Sequence, residues 1–240
     1  MYFEEYGSKK NPALVMLHGA FFTDTFIKQY PLKEHYHLII PHIKGFGKAA
    51  NELFETESAV DEIRALIKGY APAYLVGFSL GAQLAFKLVS ESPELISKAI
   101  LISPWLVGKD VISDDMMNGN LKMLSQLKSR FFCNMMGLSM GLSREKRIEL
   151  VNSIQSISEQ TVKACVDNGI SLESLPRFSF VSTPVLAIAG KKEPEDIILS
   201  VKKLSEMNSS FAYELWEGAR HNIPTMRAKR LKRELVEFFK

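Results

Sequence analysis

The sequence predicts an α/β protein, with a mostly parallel central sheet flanked by helices and an all-helical insertion in its second half. Short apolar runs alternate with helical periodicity, and this alternation stops between about residues 106 and 181 before it resumes. Apolar runs that end in Gly, Pro or Ser are typical of strands buried on both faces. The predicted core therefore spans residues 1–105 and 182–240, and the insertion spans 106–181.

The element boundaries follow from these patterns. Six strands are predicted, over residues 13–17, 37–40, 74–76, 99–102, 184–189 and 211–216. In the insertion, apolar spacing predicts amphipathic helices over 121–132, 144–157 and 159–166, with helix ends near Gly137, Gly141 and Gly169. A last helix is predicted from Leu231 and Leu235, which share one face with the phenylalanines that follow.

Composition and charge exclude several classes of function. Hydrophobic residues make up 46% of the chain and charged residues 24%, which is ordinary for a globular protein. A net charge of +3 is too small to indicate a nucleic-acid or membrane partner by itself. A basic run over 227–233 alternates with apolar residues and is typical of the solvent face of a helix. We therefore expect no nucleic-acid partner and no membrane insertion.

The N-terminal residues and the two cysteines predict a cytoplasmic protein. The first six residues are acidic and lack the basic start and apolar run of a secretory signal. No apolar run approaches the roughly 18 residues of a membrane-spanning helix. Cys133 and Cys165 match no metal-site spacing and are expected to be free thiols. No metal or organic cofactor is expected, and the sequence leaves the oligomeric state open.

The strongest chemical signal is a Gly-x-Ser-x-Gly motif at residues 77–81. It follows the predicted strand 74–76 directly and precedes a helical segment, which is the context this motif requires. A serine on a sharp strand-to-helix turn adopts a strained conformation, and glycine on either side removes side chains that would clash. The helix N-terminus also favours developing negative charge. Ser79 is therefore the predicted nucleophile.

With this motif, the chain resembles the α/β-hydrolase family over nearly its whole length. His18 and Gly19 follow a strand where family members carry the turn that leads to the oxyanion hole. The resemblance implies that Ala20 and Leu80 supply the two backbone N–H groups of that hole. A Lys-Gly-Phe-Gly turn at 44–47 resembles a structural turn of the family, with lysine in place of the usual arginine.

The resemblance also implies a base and an acid for the serine. His221 lies between the last strand and the last helix, where family members place the catalytic histidine. The family's acid usually ends a Gly-x-x-Asp stretch after the penultimate strand, and here that position is Glu193. Glu195 and Asp196 lie close enough to compete, and Asp110 occupies the acid position of a minority of members.

Other residues are predicted to line the pocket or are excluded from the chemistry. Phe21, Phe78 and Trp105 are expected to contact substrate. His35 and His37 form a pair, but strand alternation and the expected lack of a nearby carboxylate argue against a metal site there. The insertion resembles a lid, and its methionines and phenylalanines indicate a substrate with an apolar portion.

The predicted function is acyl transfer. The first hypothesis is a serine hydrolase, esterase- or lipase-like, that cleaves a carboxylic ester or a thioester of a small to medium acyl substrate. The second is a carbon–carbon bond hydrolase or lyase-like enzyme on the same fold, which would retain the same serine and histidine. The third is a weakly catalytic relative that binds a small molecule and signals to a partner.

Overall fold

The computed structural model describes residues 1–107 and 114–240. Its strands form one seven-stranded sheet in the order β1-β3-β2-β4-β5-β6-β7. Only the edge strand β1 is antiparallel to its neighbour; the other pairs are parallel. The strands are β1 (Phe3–Tyr6), β2 (Ala13–Leu17), β3 (His37–Pro41), β4 (Ala73–Phe78), β5 (Ile96–Ile102), β6 (Val185–Gly190) and β7 (Phe211–Trp216).

Helices cover both faces of this sheet and fill the segment between β5 and β6. The α-helices are α1 (Thr56–Lys68), α2 (Leu80–Glu91), α3 (Asp114–Lys128), α4 (Arg130–Met140), α5 (Arg144–Ser156), α6 (Glu159–Asp167), α7 (Glu195–Met207), α8 (Ile223–Met226) and α9 (Ala228–Phe238). The described residues also include 3-10 helices at Ile27–Glu34, Gly47–Ala49, Pro93–Leu95 and Pro176–Phe180. The predicted fold class, a mostly parallel sheet flanked by helices, is confirmed.

The two-sided core follows from the alternation of side chains along each strand. Val15 and Leu17 of β2 face a large cluster that includes the buried faces of α1, α2 and α7. Leu14 and Met16 face the opposite cluster, which includes Leu231 of α9. Both sets are fully buried, because a parallel strand covered on two sides has no solvent face. This explains why the strands read as continuous apolar runs.

Strand β1 is the element that the sequence pattern did not predict. Its residues read Phe-Glu-Glu-Tyr, and it pairs along only one side, with β3. Charged side chains on an edge strand discourage pairing with other chains, and they also remove the apolar signal from the sequence. The missed strand matters for His37, because Glu5 of β1 places a carboxylate oxygen 3.0 Å from its Nε2. The expectation that His37 lacks a nearby carboxylate was therefore wrong.

The helices of the insertion differ from their predicted bounds. The helix predicted over 121–132 is divided at Ser129, whose Oγ accepts a hydrogen bond from the N–H of Phe132 and so begins α4. Gly137 was expected to end a helix, but it lies inside α4. The absence of a side chain at this position lets α5 pack closely against α4. A Cβ there would lie 3.0 Å from Arg147. Gly141 ends α4 in the left-handed conformation, as predicted.

An ion cluster attaches α5 to the core. Lys146 of α5 contacts both carboxylate oxygens of Glu4, at 2.7 and 2.9 Å, and lies 3.4 Å from Asp24. A hydrogen bond from His42, together with Lys146, lowers the pKa of Glu4 to about 2. Glu4 therefore stays charged at any physiological pH, and this part of the insertion is held to β1 and to the loop after β2.

Candidate active site

The turn between β4 and α2 exposes Ser79 above the carboxyl edge of the sheet. Ser79 has φ 52° and ψ −116°, and L-residues rarely adopt such a positive φ. Its two flanking glycines are sterically required. A Cβ on Gly77 would lie 2.3 Å from the carbonyl oxygen of Gly81, and a Cβ on Gly81 would lie 2.2 Å from that of Leu17. The sharp turn therefore depends on the motif's glycines.

Three side chains from different strand ends form a chain of hydrogen bonds. Nε2 of His221 lies 3.1 Å from the hydroxyl oxygen of Ser79, and Nδ1 lies 2.7 Å from Oε2 of Glu193. A carboxylate only accepts hydrogen bonds, so Nδ1 carries the proton and Nε2 is free to accept one from the serine. This is the arrangement in which an imidazole can act as a general base toward a serine hydroxyl.

The carboxylate of Glu193 is completely buried but fully hydrogen-bonded. Its side chain has no solvent exposure, whereas the side chain of His221 is 46% exposed. Besides His221, it accepts hydrogen bonds at Oε1 from the hydroxyl of Ser103 at 2.8 Å and from the N–H of Gly190 at 2.7 Å. A buried charge needs such donors, because its desolvation would otherwise be prohibitive.

The other acids considered from the sequence lie elsewhere. Glu195 and Asp196 are exposed in the first turn of α7, where negative charge complements the helix N-terminus. Asp110 lies outside the residues that the structure describes. The structure therefore brings Glu193, and neither of the two acids on α7, to His221. The Glu193 side chain folds back over its own turn, where its carboxylate accepts the N–H of Gly190, and this accommodates the length of a glutamate.

Ser103 is the residue of this site that the sequence analysis missed. It directly follows β5, is fully buried, and has a φ of 52°. A non-glycine residue in that conformation is strained, and such strain concentrates at functional sites. The available signal was its position, because the carboxyl ends of parallel strands are where ligands bind in open α/β sheets. An ordinary serine after an apolar run offers no further indication in the sequence.

Two residues beside Ser79 have backbone N–H groups that make no hydrogen bond within the described chain. Ala20 follows β2 and Leu80 begins α2, and both line the cavity together with Ser79. In residues 1–107 and 114–240, no hydrogen bond within the chain uses the N–H of either residue. The first N–H groups of a helix have no partner within it, so Leu80 is free to donate to an oxygen in the cavity.

His18 fixes the turn that carries Ala20. It is fully buried, its Nδ1 donates to the carbonyl of Gly19 at 2.7 Å, and its Nε2 accepts the N–H of Ile43 at 3.0 Å. Burial lowers the pKa of His18 to about 3, so the ring is neutral in the folded protein. His18 holds backbone in place, since both of its ring nitrogens are occupied.

This buried histidine predicts a loss of stability in acid. The unfolded chain binds a proton at this position below about pH 6.5, whereas the folded chain binds it only below about pH 3. Between those values the unfolded state binds more protons, so the free energy of unfolding falls as the pH falls. From pH 7 to pH 5, His18 alone should remove about 2 kcal/mol, measured by urea unfolding. His18→Gln should reduce that pH dependence; an unchanged dependence would contradict the assignment.

The cavity above Ser79 has a volume of about 280 Å³. The core and the insertion both contribute to its wall, which consists of Ala20, Ser79, Leu80, Gln83, Trp105, Met116, Asn120, Cys165, Val166, Pro194, Ile197 and His221. Trp105, one of the three expected pocket residues, is among them. The other two, Phe78 and Phe21, are not among these wall residues. Phe78 packs against the His221 ring with centroids 5.0 Å apart, and Phe21 is buried against Phe46.

Both cysteines are free, as the sequence predicted. Burial raises the pKa of the Cys165 thiol, so this wall residue stays protonated. In the part of the chain that the structure describes, His, Cys, Asp and Glu side chains form no group of three that could hold a metal ion. Nor does any described helix have the length and apolarity that a bilayer crossing requires.

Comparison with known proteins agrees with this architecture. A sequence model of the α/β hydrolase fold family matches residues 12–145, more than half of the chain. The chain therefore belongs to the α/β-hydrolase fold family. A comparison with curated proteins gave no match.

Solved structures extend the similarity to 99% of the chain. They include an esterase from Exiguobacterium antarcticum, with a TM-score of 0.77, 20% identity and 94% of that chain covered. A carboxylesterase from Nitrososphaera gargenis has a TM-score of 0.74, 13% identity and 93% of its chain covered. A meta-cleavage product hydrolase has a TM-score of 0.76, 19% identity and 93% of its chain covered. At these identities the similarity shows the fold alone.

Proposed function

We propose that this chain is a serine hydrolase that cleaves carboxylic esters, or thioesters, of small to medium acyl groups. The observation that carries the proposal is the hydrogen-bonded series from Ser79 through His221 to Glu193, which opens into a cavity. The esterases among the structural neighbours share the fold and add support to a hydrolytic activity.

The mechanism follows from the donors and acceptors at the site. His221 Nε2 accepts the proton of Ser79 as its oxygen attacks the ester carbonyl. The Ala20 and Leu80 N–H groups donate to the oxyanion that forms. His221 then gives the proton to the leaving alcohol, and a water molecule, activated by the same imidazole, releases the acid from the acyl-enzyme. Glu193 holds the imidazole in the tautomer that these steps require.

The cavity wall favours a substrate with a compact apolar portion. Trp105 and Ile197 come from the core and Met116 and Val166 from the inserted helices, so apolar side chains close the cavity on several sides. A volume of about 280 Å³ is at the small end of ligand sites, which favours short acyl groups over long ones.

The experiment that tests this function is hydrolysis of p-nitrophenyl acetate, butyrate and octanoate by the purified protein. Turnover that falls from butyrate to octanoate would support a serine esterase with a compact pocket. A folded protein that hydrolyses none of the three, but cleaves a vinylogous 1,5-diketone, would instead support the carbon–carbon hydrolase hypothesis. Inactivity toward both substrates would support the weakly catalytic relative.

Ser103 should act as a positioning residue for Glu193. Ser103→Ala keeps the Cβ in the same backbone conformation but removes one of the three donors to the carboxylate. A hydrogen bond to a charged group contributes about 1.5–3 kcal/mol, so we expect kcat to fall about 10- to 100-fold. The carboxylate then attracts the imidazolium more strongly, and the acid limb of kcat/KM should move to higher pH. Both are measured as pH–rate profiles.

The control separates positioning from folding. Ser103→Cys retains a weak donor of similar size and should recover part of the activity. A purely structural role for Ser103 would lower the melting temperature in both variants and leave the pH profile of the remaining activity unchanged. That result would contradict the positioning role.

A further inference from the structure

Helix α4 presents an apolar face to solvent. Phe131, Met135 and Leu138 are spaced four and three residues apart and so share one side of the helix. They are 77%, 45% and 52% exposed, respectively. We call this face the α4 ridge. Single exposed apolar side chains are common, but three on one helical face form a contiguous surface.

The α4 ridge is not a by-product of the helix's packing against the core. The opposite side of α4 is already apolar and buried, through Cys133, Gly137 and Met140. No charged residue occurs between Phe131 and Leu142, and after Arg130 the exposed polar residues of α4 are Asn134 and Ser139. A helix face that meets solvent normally carries charged and polar residues. The ridge therefore has the composition of a surface that is covered in use.

Basic residues outnumber acidic ones in the segment of chain that contains this ridge. Residues 121–149 contain six lysines and arginines but only two acidic residues, although the whole chain has a net charge of only +3. Lys146 and Glu149 are engaged in ion pairs. In the described part of the chain, Arg130, Arg144 and Arg147 form no ion pair. Arg147 instead donates to the side chain of Asn134 on α4, which holds its charge beside the ridge.

The positive charge argues against a second copy of the chain as the partner. An isologous dimer would place this basic surface against itself, and like charges in an interface are repulsive. The ridge is formed by side chains that project from one helix. A bilayer interface accepts projecting apolar side chains without a matching shape.

From the exposed ridge and its basic surroundings we infer that α4 is a docking surface for an anionic membrane. Phe131, Met135 and Leu138 enter the boundary between headgroups and acyl chains, while Arg130, Arg144 and Arg147 contact acidic headgroups. The attachment is peripheral, through one helix face, and needs no spanning segment. It is independent of the proposed hydrolase activity, because none of these residues lines the cavity above Ser79.

The test is co-sedimentation with vesicles of phosphatidylcholine, with and without about one-third phosphatidylglycerol. The wild type should bind the anionic vesicles about tenfold or more tightly than the neutral ones, and salt should weaken the binding. Phe131→Ser/Leu138→Ser and Arg130→Gln/Arg144→Gln should each reduce binding about tenfold. The matched control is Phe180→Ser/Met207→Ser, which removes two exposed apolar side chains from other elements and should bind like the wild type.

Four results would overturn the inference. The wild type could fail to bind either vesicle, or bind both equally. The control variant could lose as much binding as the ridge variant, which would indicate general stickiness. Size-exclusion chromatography could show a dimer that Phe131→Ser/Leu138→Ser converts to a monomer, which would identify a second copy as the partner. Unchanged melting temperatures establish that the variants are folded, and no outcome depends on ester hydrolysis.

Discussion

Ser79→Ala should reduce kcat for p-nitrophenyl butyrate by about three to six powers of ten. The hydroxyl oxygen that lies 3.1 Å from His221 Nε2 is the atom that forms the acyl-enzyme, so its removal eliminates the covalent route. The oxyanion donors and the cavity remain, and they account for the residual rate. Alanine has the same Cβ as serine and meets the same strain at φ 52°, so the melting temperature should change little.

The measurement has an independent covalent readout. A fluorophosphonate probe should label the wild type once, at Ser79, and should leave Ser79→Ala unlabelled. Ser209→Ala removes an exposed serine away from the site and should match the wild type in both rate and labelling. Turnover that survives in Ser79→Ala would refute the assignment of the nucleophile, whatever the substrate.

Glu193→Gln should lower kcat by about three to four powers of ten with little change in size or shape. The Gln carbonyl would accept from Ser103 and Gly190, and its NH₂ group would then face Nδ1 of His221. Two donors cannot face each other, so Nδ1 loses its proton and Nε2 carries one instead. The histidine is then in the tautomer that cannot accept a proton from Ser79.

The chain offers matched controls for this acid. Glu195→Gln and Asp196→Asn change nearby carboxylates that are exposed on α7, and they should retain wild-type kcat. Asp110→Asn tests the remaining alternative from the sequence. If Asp110→Asn abolished turnover while Glu193→Gln retained it, the acid would belong to the segment after β5 and Glu193 would not be the residue that orients His221.

The fold was predictable to a large extent because its strands are buried on both faces. Each of the six predicted runs coincides with a strand of the sheet, although β5 starts three residues earlier than expected. The order of the sheet was not readable, because pairing joins residues far apart in sequence. The edge strand β1 escaped prediction because its burial is partial and its two glutamates interrupt the apolar pattern.

The inserted helices were less predictable than the sheet. The predicted helices 144–157 and 159–166 correspond to α5 and α6, but most of α4 was not predicted, because exposed apolar residues on it hide the polar face expected of a surface helix. The break at Ser129 depends on one capping hydrogen bond, and the continuation through Gly137 depends on contact with α5. The Ser129 cap is a local signal that the sequence-based prediction missed, whereas the contact with α5 is decided by packing and is not specified by local sequence.

The sequence by itself determined the α/β class and the candidate nucleophile, Ser79, because a strand, a glycine-bounded serine and a helix are adjacent in the chain. It also named His221 and Glu193 as candidates, and their roles stay predictions until the variants are measured. Only the tertiary structure decided which acid meets the histidine and that Ser103 supports it. The reason is the order β4-β5-β6-β7, which places four strand ends side by side and so brings together Ser79 and His221, which are 142 residues apart in the chain.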